Sequence, residues 1–173
     1  MRPTKKLTVS AAATALGTAL MSVGAVWELM DLSLVAFASL FIMLILIEVG
    51  GAFPWMVWLA TSLLTFFIFP KSPISAVYFA FGVFPILKYY IEKLKRPFWI
   101  LLKLAYSNIC ILGIIFLMEL VFKRVVFDTD LLILKIALYV LFVAAFFAYD
   151  RMLTLMSRVY LYKLRHRFRN LFK

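Results

Sequence analysis

The sequence predicts an all-α, polytopic integral membrane protein with six transmembrane helices, and three observations lead there. Hydrophobic residues make up 66% of the 173 positions, and the mean hydropathy is +1.03. Soluble domains are close to half apolar, so an ordinary water-soluble fold is excluded. Charged residues are only 16% of the chain, and they mostly fall between apolar segments long enough to span a bilayer, which takes about 20 residues. The basic residues, finally, are distributed unevenly over those intervening segments. Six spans occupy most of the chain and leave no room for a separate soluble domain of ordinary size.

The elements follow in order. No charge lies between Lys6 and Glu28, which gives a first span of about Leu7 to Trp27. Its basic start suggests a signal peptide. The apolar stretch is longer than a signal core, however, and no polar segment follows, so a retained helix is expected. The second span covers about Leu32 to Val49, Gly50 and Gly51 make the turn, and the third covers about 52–69. Pro70, Lys71 and Pro73 break the chain. The fourth span runs from about Ser75 to Tyr90, with a kink expected at Pro85. Glu92 to Pro97 form a polar loop, and the last two spans cover about Phe98 to Phe122 and Leu131 to Tyr149. The expected organisation is therefore a transmembrane domain over 1–150 and a basic tail over 151–173.

Orientation follows from charge. With both termini cytoplasmic, the inner segments hold Arg2, Lys5, Lys6, Lys88, Lys93, Lys95, Arg96 and seven basic residues from Arg151 onward, fourteen of the nineteen in all. Basic residues are retained on the cytoplasmic side during insertion, so an even number of spans fits. In the tail, Leu153, Met156, Tyr160, Leu164, Phe168 and Leu171 share one helical face, opposite Arg151, Arg158, Arg165 and Arg169. Two readings stand for it: an amphipathic helix lying on the inner leaflet through Arg158, Arg165 and Arg169, or a straight continuation of the sixth helix. Because a positive-inside flank accounts for the net charge of +11, nucleic acid is not an expected partner. The lipid bilayer is.

Reactive groups are scarce. The chain has one histidine, His166, and one cysteine, Cys110. That excludes a histidine-pair metal site and a disulfide framework. Neither a glycine-rich phosphate loop nor a group of closely spaced aspartates is present, so no enzyme, cofactor or metal is expected. Ionisable residues within spans are functional candidates by default. Glu119 and Lys135 each lie about one turn below the outer end of the fifth and sixth spans, at similar depth. They form either an ion pair that pins two helices or the two ends of a polar pocket, to which Tyr78 could contribute. Lys103, near the inner end of the fifth span, is expected to snorkel to the cytoplasm. Asn108 is expected to bond a neighbouring helix. The four tryptophans, near span ends, fit an interfacial belt. Ala11, Ala15 and Ala19, spaced four apart, form a smooth stripe against which a helix of the same bundle or of a partner can pack.

This layout, with the run from Ala11 to Ala19, resembles the substrate-binding S component of energy-coupling-factor transporters of bacterial cell membranes. The resemblance implies that the stripe packs against a shared transmembrane T component, and that separate ATPase subunits drive uptake of a small, vitamin-like solute. It also implies an outward-opening pocket among Glu28, Asp31, Tyr78, Glu119 and Lys135, suited to a zwitterionic or weakly polar aromatic ligand. The competing class is a structural membrane protein similar to the rod-shape-determining D family. In that case the stripe and the tail are partner and lipid contacts, and Glu119–Lys135 is a clamp.

Overall fold

A computed structural model describes residues 3–27, 31–70, 72–93, 96–120 and 132–164. All regular structure among them is helical: α1 (Pro3–Val26), α2 (Asp31–Glu48), α3 (Phe53–Ile68), α4 (Ile74–Gly82), α5 (Phe84–Ile91), α6 (Arg96–Leu120) and α7 (Leu132–Val159), the last continued by a π-helical turn, Tyr160–Leu164. Four stretches are long and apolar enough to cross a membrane: Pro3–Val26, Ile74–Ile91, Phe98–Phe116 and Ile136–Lys163. The apolar parts of α2 and α3, Ser33–Glu48 and Phe53–Ile68, are shorter.

Local chemistry sets the boundaries. Gly50 and Gly51 both have φ of +65°, the left-handed region that glycine enters without strain. They turn the chain between α2 and α3, and the Ile45 carbonyl accepts from both Val49 and Gly50. Pro54 opens α3 and Pro85 opens α5, first-turn positions where the helix that begins there loses no hydrogen bond of its own. α4 and α5 are the expected kinked fourth segment, with Val83 as the joint.

Helix α2 is the centre of the bundle. It packs against α1, α3, α4, α5 and α7 and buries Val35, Ala38, Ile42 and Ile45. α1 turns Ser10, Ala13, Gly17, Met21 and Gly24 inward, a small-residue face that lets backbones approach closely. Gly17 marks the closest approach, since a Cβ there would stand 3.2 Å from Thr61 Cγ2 on α3. Gly17→Leu is therefore expected to force α1 away from α3. Overpacking of this kind costs about 1–3 kcal/mol, which a thermal melt in mild detergent would detect.

The outer faces of α6 and α7 carry Leu101, Ile109, Leu112, Phe116, Ile133, Val140 and Leu141, all more than half exposed. Against water such a surface would be unfavourable; against lipid tails it carries no such cost. α7 runs without interruption through Tyr149 and Asp150 to Val159, so residues 151–164 continue the sixth helix, and Leu153 is fully buried in the bundle. Arg165 and Arg169 lie outside the described residues.

Candidate functional site

A proline in a spanning helix leaves carbonyls without their helical donors, and lipid offers none in their place. Pro85 lacks the N–H that would reach the Phe81 carbonyl one turn back, and at the α4–α5 joint the carbonyls of Phe79, Ala80 and Phe81 all receive side-chain donors. Three other helices supply the donors. Trp58 Nε1 of α3 donates to the Phe79 carbonyl at 3.1 Å, Tyr106 Oη of α6 to that of Ala80, and Tyr149 Oη of α7 to that of Phe81 at 3.2 Å. Around them Phe84 packs on Tyr106, Phe146 and Tyr149 with ring centroids 4.7–5.7 Å apart. Gly82 sits tightly here, since a Cβ would lie 3.1 Å from Trp58 and 3.2 Å from the Tyr78 ring, and those rings would have to give by a few tenths of an ångström. Trp58, expected in an interfacial belt, is thus a structural donor.

One turn beyond the joint, at the basic end of the bundle, α5, α6 and α7 bring four charged side chains together. Lys88 Nζ lies 2.5 Å from Asp150 Oδ1, 2.7 Å from the Asp150 carbonyl and 2.6 Å from Thr154 Oγ1. An ammonium has three protons to donate, and these three acceptors match them. Lys103 Nζ donates to Asp150 Oδ2 at 2.7 Å. Asp150 therefore bridges both lysines, one through each carboxylate oxygen. Glu92 Oε1 is more distant, 3.6 Å from Lys88 and 3.5 Å from Lys103. The side chains of Lys88, Lys103 and Asp150 are 3%, 10% and 11% exposed, against 37% for Glu92. The cluster is thus formally neutral, with a buried core of net charge +1 and a looser outer carboxylate. Lys103 does not snorkel; it reaches Asp150 across the helix interface, which saves a buried charge from going unpaired.

Beside this cluster lies a cavity of about 360 Å³. Leu46, Ile47, Pro85 and Leu161 make its apolar wall, and its polar lining is Lys88, Glu92, Thr154 and Ser157. Apolar clefts also run along the α2–α7 seam, one at Val35 and Ala148, another at Met43 and Met156.

Of the residues expected to bind a ligand, Tyr78 is fully buried in the core. Glu28 and the side chains of Asp31, Glu119 and Lys135 lie outside the described residues. Asn108 bonds α7 by accepting from Tyr139 Oη at 2.6 Å. Ala11, Ala15 and Ala19 are exposed, on the face of α1 turned away from α2 and α3. No residue described in the bundle covers that stripe to the point of burial, whereas Ala13 and Gly17, which point the other way, are buried. Among the described residues no group of acidic, histidine or cysteine side chains could hold a metal ion. No family model, curated protein or solved structure matches the chain.

Proposed function

We propose that the protein is a non-catalytic, solute-binding membrane subunit similar to the S component of energy-coupling-factor transporters, with six spans and both termini on the cytoplasmic side of a bacterial membrane. The observation that carries this reading is the division of labour on α1. Its inner small-residue face, Ala13 and Gly17, packs the bundle, whereas Ala11, Ala15 and Ala19 stay exposed on its outer face. In an apolar solvent a smooth outward stripe offers close helix approach to a partner, where dispersion rather than water exclusion drives association.

The test is affinity purification in mild detergent, with mass spectrometry of the co-eluting proteins. Recovery of a T component and its ATPases supports the reading. Ala15→Trp is then expected to abolish that recovery while leaving the melting temperature of the isolated protein unchanged. Recovery of cell-envelope or division proteins in their place would replace this reading with the scaffold one.

A further inference from the structure

We infer that the cavity at the basic end is a binding site for an amphiphile with an apolar chain and a single anionic head, which takes the place of the Glu92 carboxylate against Lys88 and Lys103. This site is independent of the transport reading. The first argument is the charge distribution. Asp150 commits both carboxylate oxygens, one to each lysine, so the buried core of the cluster carries one positive charge in excess. Glu92 balances it from 3.5 and 3.6 Å, beyond the 2.7–3.2 Å of a good N–H···O hydrogen bond. The anion already present is therefore held by attraction alone, and its side chain is the most exposed of the four. A monoanion that displaces Glu92 into water leaves the site neutral.

Geometry supplies the second argument. Glu92 and Lys88 both line the cavity, so an anion in place of Glu92 is continuous with the space beyond it. That space is walled mainly by Met43, Leu46, Ile47, Pro85 and Leu161, which suit a hydrocarbon, and the Thr154 and Ser157 hydroxyls that also line it already donate to main-chain carbonyls of α7. At roughly 30 Å³ for each water-sized group, about 360 Å³ accommodates on the order of a dozen such groups. That corresponds to a medium-length chain or the upper part of a longer one. Tyr89 also lines the cavity, and Lys93 Nζ sits 4.0 Å over its ring, which adds a cation one residue beyond the lining.

The experiment uses the full chain in maltoside detergent, with decanoate as the probe and native mass spectrometry as the readout. Saturable retention of one decanoate is expected. Glu92→Gln removes the competing carboxylate and is expected to tighten binding by about tenfold or more, while Lys103→Gln weakens it by a similar factor. The gain in Glu92→Gln cannot arise from misfolding, so it stands even where Lys103→Gln folds poorly. Unchanged or weaker binding by Glu92→Gln would overturn the inference. Competition by acetate as effective as that by decanoate would also overturn it, because the apolar wall would then contribute nothing. Added phosphatidylglycerol separates the sources of this chemistry: displacement of decanoate assigns the site to a lipid of the leaflet, and failure to displace assigns it to a soluble amphiphile.

Discussion

Asp150→Ala is expected to destabilise the protein by about 3–5 kcal/mol, the range found when one partner of a buried ionic group is removed. The reason is not the lost attraction alone. Lys88 would retain Thr154 and the main-chain carbonyl of residue 150, but its charge and that of Lys103 would then face one half-exposed carboxylate, Glu92, at 3.6 and 3.5 Å. Asp150→Asn does not rescue this, because the amide can accept from one lysine but must turn its own N–H2 toward the other. The pair Lys88→Met with Asp150→Leu separates the effects. It removes one charge of each sign, leaves Lys103 facing Glu92, and replaces polar atoms by apolar ones of similar size. Buried ion pairs exchanged in this way are often neutral or stabilising, so the double variant is expected to recover most of the loss. Dodecyl sulfate titration of the protein in mixed micelles would measure all three. If Asp150→Ala unfolds at the wild-type midpoint, the cluster does not hold α5, α6 and α7 together.

The apolar segments of the sequence account for the helices, because a spanning segment must satisfy its backbone internally and so declares itself by length and hydropathy. Pro85 was equally legible as a kink. What the kink requires was not. Trp58, Tyr106 and Tyr149 have ordinary roles available to them in a membrane helix, and nothing local to any of them says that it faces a carbonyl on another element. The ionic cluster escaped for a different reason. Lys88, Lys103 and Asp150 each sit near the end of an apolar segment, where retention of positive charge and snorkelling already explain a charged residue. The depth comparison that drew attention to Glu119 and Lys135 at one end of the bundle applies equally at the other. Lys88 lies three residues from the end of α5, Lys103 seven from the start of α6, and Asp150 where the sixth span was expected to stop. Opposite charges near the same end of neighbouring apolar segments were the available signal. The alanine stripe shows the limit of spacing alone: Ala11 and Ala13 lie roughly 160° apart around a helix of 3.6 residues per turn, and only packing distinguishes the small face that builds the bundle from the one that remains outside it.

Tyr149→Phe isolates the second requirement, that the carbonyl freed by Pro85 finds a donor. It removes one oxygen and no packing surface, and it leaves the Phe81 carbonyl without the donor it has at 3.2 Å. An acceptor stranded in a dry interior costs about 1–3 kcal/mol. Hydrogen bonds between membrane helices commonly contribute less than that, because the separated helices find other partners in the bilayer. The Phe81 carbonyl keeps the Val83 N–H of its own segment as a second, strained donor, so the lower part of the range, about 1 kcal/mol, applies here. Tyr106→Phe is expected to cost less, since the Cys110 thiol already lies 3.9 Å from the same Ala80 carbonyl and can replace the phenol. The deciding measurement is Tyr149→Phe in a Pro85→Ala background. With alanine at position 85 the helix regains the N–H that Phe81 lacks, and the tyrosine becomes redundant. Its removal should then cost under about 0.5 kcal/mol, in line with substitutions that break no specific interaction. A cycle in which Tyr149→Phe costs the same with proline or alanine at position 85 would show that the hydroxyl serves some other role, and that the aromatic packing on Phe84 alone secures the bend.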